Sequence, residues 1–161
     1  MADADKEEFA PLLAVGFHEL DLAGLRRLCV NRFPHSLTRS RIMDGLEHVL
    51  SLLQRNGMRG ELWVDGSFTT EKLNPDDADI ILVVDAADFR AFSPEQKAFF
   101  NGYCSISLKE RFRCDNYGMV RDEASPTNEW LLAYWLRQFG FSRSDEMKGL
   151  AVIRLPFLVQ S

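Results

Sequence analysis

The chain has 161 residues, is 46% hydrophobic and 27% charged, and carries a formal net charge of −5. That length suffices for one domain with its own core. The acidic balance excludes a broad, non-specific DNA binder, which needs surplus Lys and Arg against phosphate. Cys29, Cys104 and Cys114 show no metal-ligand spacing and are expected as reduced thiols of a cytoplasmic protein. The first residues, MADADKEEF, are acidic and polar, unlike a secretory signal, and no apolar run reaches bilayer-spanning length.

Residues 1–20 read as a loosely ordered lead-in broken by Pro11 and Gly16, and 21–161 as the domain proper. Asp21 is placed to cap a helix running to Arg32, which Pro34 stops. The basic run Arg26, Arg27, Arg32, Arg39 and Arg41 reads as a solvated helix face. Ser36 is expected to cap the next helix, in which Ile42, Leu46, Val49, Leu50 and Leu53 recur at helical spacing until Gly57.

A strand is predicted over 61–65 (ELWVD), followed by the tight corner Gly66-Ser67 and turn chemistry at Asn74-Pro75-Asp76. From Asp79 the sequence DIILVVD is apolar at alternate and intervening positions, as a buried central strand reads. Ser93-Pro94-Glu95-Gln96 has the form of a capping box and opens a helical stretch to about Phe112, expected to break near Gly102. A strand over 114–120 would place Asp115, Tyr117 and Met119 on one face. Ser125-Pro126 is expected to open a largely buried helix with Trp130, Leu131, Tyr134, Trp135 and Leu136, ending at Gly140. A last strand runs from Leu150 to Leu155. Strands interleaved with helices predict an α/β (α+β) fold, a small mixed sheet flanked by helices.

The chemistry concentrates in LWVDGSFTTEKLNPDDADIILVV. Gly66 lets the chain turn sharply after a strand, and Ser67 then brings a hydroxyl and N–H groups suited to phosphate oxygens. Asp77 and Asp79, two apart on a strand, would project together beside that corner. Paired carboxylates repel unless a cation neutralises them, and hard oxygen ligands suit Mg²⁺. A third carboxylate from a neighbouring strand would complete a two-metal site. Asp115 is the leading candidate for it, with Asp85, Asp88 and Asp122 as alternatives.

These residues resemble the nucleotidyltransferase superfamily, the fold of DNA polymerase beta and the kanamycin nucleotidyltransferases. Its signature is a hydrophobic residue, Gly, then Gly or Ser, a gap, and acid-hydrophobic-acid. Here Val64, Gly66-Ser67 and Asp77-Ala78-Asp79-Ile80 carry it, with Ala78 smaller than the usual branched residue. The chain also resembles an uncharacterised bacterial family of nucleotidyltransferase-like proteins with a W-x-D-G-S-F-x-T-x-K-x-x-P-x-D-x-D core. Trp63, Asp65, Gly66, Ser67, Phe68, Thr70, Lys72, Pro75, Asp77 and Asp79 match that core. Trp135, Phe139-Gly140-Phe141, Arg143 and Lys148-Gly149 match its tail.

The resemblance implies that Asp77, Asp79 and Asp115 bind two Mg²⁺ ions, with Asp115 alternatively taking the proton of the acceptor hydroxyl. It implies that Gly66 and Ser67, with Thr70 and Lys72, hold an NTP, and that Lys148 and Arg143 are weaker candidates for the same duty. Trp63 and Trp135 read as core. The expected activity is transfer of NMP from the NTP to a hydroxyl on RNA such as tRNA, a protein or a small molecule. A partner chain is a possible source of acceptor recognition, and a toxin–antitoxin or phage-defence role is a setting the superfamily implies. The alternative is a non-catalytic module binding a nucleotide or a partner protein; a purely structural domain is the third option.

Overall fold

The computed structural model describes residues 7–141 and 147–157. The strands β1 (Gly16–Glu19), β2 (Gly60–Asp65), β3 (Ala78–Asp85), β4 (Cys114–Arg121) and β5 (Gly149–Leu155) form one sheet in the order β1-β5-β2-β3-β4. Strand β2 is antiparallel to β3 and β5, whereas β3–β4 and β1–β5 are parallel pairs. A parallel neighbour requires a crossover. Helices α3 (Ala86–Ala91), α4 (Pro94–Ser105) and α5 (Lys109–Phe112) provide it between β3 and β4. Helices α1 (Leu22–Arg26) and α2 (Arg39–Arg55) precede β2, and α6 (Asn128–Phe139) lies between β4 and β5. The fold is therefore the expected mixed α/β (α+β) arrangement.

Alternation along the strands divides the core in two. Leu62, Val64, Ile80, Leu82, Val84, Ala151 and Ile153 join Ile42, Leu46, Val49, Leu50 and Leu53 of α2 in the larger cluster. Trp63, Ile81, Val83, Met119, Leu150 and Val152 form a second cluster on the opposite face with Leu131, Leu132, Trp135, Leu136 and Phe139 of α6. Both faces of β3 are thus covered, which is why its sequence is apolar throughout.

Local chemistry sets several boundaries. Asp21 accepts a bond from the Gly24 N–H at the start of α1. The Ser93 box closes reciprocally with Gln96. Ser36 accepts from the backbone N–H groups of Thr38 and Arg39, three residues ahead of the first full turn of α2. Gly57, at φ +73°, ends that helix.

Four local expectations are corrected. Residues 16–19 of the lead-in are a strand, because β5 offers them a parallel edge; residues 10–12 also run beside the chain at 69–71. The crossover helix breaks at Ile106–Leu108, not at Gly102. There Asn116 of β4 accepts from Leu108 N–H and donates to the carbonyls of Tyr103 and Ile106. Helix α6 begins after Thr127 rather than at Ser125-Pro126. It is also half-exposed: Trp130 retains 70% of its accessible surface and Tyr134 47%. Among the described residues no helix is long and apolar enough to cross a membrane.

Candidate active site

Strand register brings three carboxylates together. Asp65 is the last residue of β2 and lies opposite Asp79 in β3. Asp79 lies opposite Asp115 in β4. All three stand on the α6 side of the sheet, since they alternate with residues of the larger core. Of the acids the sequence left open for a third position, Asp115 is the one that the register sets beside Asp79. Asp85 lies six residues along β3, roughly 20 Å away at strand rise, and is paired with Arg121 at 2.8 Å. Asp88 lies in α3, and Asp122 follows the far end of β4.

Asp77 immediately precedes β3 rather than belonging to it. The backbone N–H of the next residue, Ala78, is tied to the Arg113 carbonyl, so the approach to the strand is fixed. The Asp77 carboxylate pairs with Lys109 Nζ at 3.0 Å.

The corner beside these acids is built by Gly66, which sits at φ +86°, a backbone region that only glycine adopts cheaply. A Cβ there would lie 2.6 Å from Asp79 Oδ2, so the missing side chain is also what admits the carboxylate. Ser67–Thr69 then form one 3₁₀ turn. The Ser67 hydroxyl has no partner among the described residues and is partly exposed. Thr70 does not share that freedom: its hydroxyl donates to the Ser67 carbonyl at 2.7 Å and shapes the turn.

Arg39 holds this loop from below. It is fully buried, against the reading of its basic run as solvated. Its guanidinium donates to the carbonyls of Phe68, Thr70 and Lys72, and to that of Cys29 in the π-helical stretch Arg27–Asn31 that continues α1. Its plane stacks on Phe33, 3.7 Å from the ring centre. A buried cation is tolerable when every donor finds an oxygen, and here those oxygens belong to the corner. Lys72 contributes its carbonyl to this clamp; no ion pair joins its ammonium to the acids among the described residues.

The charges do not balance within the cluster. Lys148 Nζ lies 2.9 Å from Asp65 Oδ2, and Tyr117 donates its phenol O–H to Asp115 Oδ2 at 2.9 Å. Asp79 has no cation of its own among the described residues. Burial, then the like charges of Asp77, Asp65 and Asp115, push the Asp79 carboxyl up to about 7. Burial pushes Asp65 up to about 6 against the pull of Lys148. Burial and the bond to Asp115 push the Tyr117 phenol up to about 12. Among the described residues no group of three or more Asp, Glu, His or Cys side chains is placed to hold a metal ion; the carboxylates lean instead on Lys148, Lys109 and Tyr117.

Three participants were missed as chemistry from sequence: Asp65, Lys109 and Tyr117, the last read only as sharing a strand face with Asp115. Asp65 reads as a strand end, although alternation from Trp63 places it on the same face as Asp79. Lys109 falls in a helix with no motif around it, and only the crossover delivers it to Asp77. Trp63 is buried in the second cluster as expected, and Trp135 packs partly buried against it. Arg143 lies outside the described residues.

The model of a family of unknown function, DUF6932, matches residues 7–154, so the chain belongs to that family. No curated protein and no solved structure matches the chain.

Proposed function

We propose that this member of the DUF6932 family is a Mg²⁺-dependent nucleotidyltransferase that moves NMP from an NTP to a hydroxyl acceptor. The observation that carries the reading is the register of Asp79 with Asp115, beside Asp77 and the Gly66-Ser67 corner. Charge imbalance supports it independently. An aspartate whose carboxyl is pushed up to about 7 by burial and then by neighbouring carboxylates is a group that a divalent cation relieves.

The donor set fits Mg²⁺: all are hard carboxylate oxygens, and triphosphate oxygens would complete the shell. Asp77, Asp79 and Asp115 would hold the ions. When bound, the metal supplies charge neutralisation at the phosphoryl group undergoing displacement. Ser67, with the backbone of the corner, orients the β- and γ-phosphates, and Gly66 lets them approach. Lys148, already beside the acids, adds a positive charge on the leaving-group side. Asp115, at the outer strand, takes the proton from the acceptor hydroxyl.

Incubating the full chain with Mg²⁺ and each NTP, and measuring pyrophosphate release, tests this. Release is expected, and Asp79→Asn is expected to lose it. Metal-dependent NTP binding without any release would favour the alternative, a non-catalytic nucleotide-binding module. Neither binding nor release would contradict both readings.

A further inference from the structure

We propose that Tyr117 is itself a nucleotidyl acceptor, so that the chain modifies its own phenol; this rests on the nucleotidyl-transfer reading above. The hydroxyl that such a site must deprotonate is expected at the third carboxylate. In this chain that seat is already filled by a hydroxyl of the protein. Tyr117 Oη lies 2.9 Å from Asp115 Oδ2 and is the donor. Asp115 and Tyr117 are two apart on β4, so both project from the face that carries Asp79.

Three further observations point the same way. The Tyr117 ring is fixed by Trp135 and Phe139, with centroids 5.4 and 5.8 Å away, which aims the hydroxyl back along the strand toward the acids. The residue nevertheless keeps 37% of its surface exposed, so a nucleotide can reach it. The order β2-β3-β4 then sets a line across the sheet. The phosphate corner follows β2, the acid pair opens β3, and the phenol stands on β4. In-line displacement needs the leaving group and the nucleophile on opposite sides of the phosphorus, and that order sets the corner and the phenol on opposite sides of Asp79.

In the step, the Tyr117 oxygen forms a bond to the α-phosphorus of the NTP. The bond from the α-phosphorus to the bridging oxygen breaks, and pyrophosphate leaves with the electron pair. The phenol proton passes to the Asp115 carboxylate. The product is a tyrosyl–NMP phosphodiester, one per chain, and the reaction stops unless a second acceptor removes the NMP.

The test is intact-mass and peptide mass spectrometry of the full chain after incubation with Mg²⁺ and each of the four common NTPs, alongside calorimetry of Mg²⁺–NTP binding. One NMP added at Tyr117 is expected. Tyr117→Phe is expected to gain no NMP while keeping metal-dependent binding and a native circular dichroism spectrum. Binding without an adduct, or an adduct that persists in Tyr117→Phe, overturns the acceptor assignment and leaves the nucleotidyl-transfer reading standing. Neither binding nor adduct overturns both.

Discussion

Asp79 is caught between burial and three like-charged neighbours, and a proton relieves it. With a folded pKa of about 7 against about 3.9 in the unfolded chain, its contribution to stability is fully present below pH ~4. That contribution is lost as pH rises through 7, because the folded state then gives up a proton that it had held more tightly. Asp79→Asn should therefore melt higher than the wild type at pH 8 without metal, by roughly 3 °C, and the gap should close toward pH 4. Thermal melts across that range check it; a variant less stable at pH 8 would show that Asp79 is satisfied within the chain. Arg39 is the opposite case, a charge whose donors are all used. Arg39→Ala strands the carbonyls of Phe68, Thr70, Lys72 and Cys29. It should cost about 3 kcal/mol or more in urea unfolding.

At the scale of elements, the corner after β2 and the helix α6 respond differently to change. Gly66→Ala must bear a positive φ and a Cβ 2.6 Å from Asp79 Oδ2. It should lose at least about 1 kcal/mol, with any Mg²⁺-dependent NTP binding lost as well. On α6 the second core depends on Phe139, which is buried, and not on Trp130, which is exposed. Phe139→Ala should cost about 3 kcal/mol, whereas Trp130→Ser should change stability by less than about 0.5 kcal/mol. Urea midpoints separate the two. This contrast also marks a limit of sequence reading. The apolar run of β3, the box at Ser93 and the stop at Gly57 are local chemistry and were legible. Helix α6 carries aromatic and aliphatic residues around much of its circumference, and periodicity does not say which of them meets the sheet.

For the molecule as a whole, strand order is what turns separate motifs into a site. Asp77, Asp79 and the Gly66-Ser67 corner were legible because they lie close in sequence. Asp115 was one of several acids until the parallel pairing of β3 with β4 set it beside Asp79. Lys148 reaches Asp65 because β5 is inserted between β1 and β2, a crossover that composition does not reveal. The burial of Arg39 depends on three segments meeting, Cys29 and Phe33 near the first helix, α2, and the loop after β2, so a run of arginines looked like surface. The same assembly leaves one end of the sheet with more carboxylates than ammonium groups, and that excess is the central claim.

Calorimetric titration of the full chain with Mg²⁺ and an NTP, at pH 6 and again at pH 8, tests it most directly. Protons and metal compete for Asp79, so binding should be weak at pH 6, tighten markedly at pH 8 with less proton release per ion, and vanish in Asp79→Asn at both. Binding of equal strength at the two pH values, or binding that survives Asp79→Asn, would contradict the account.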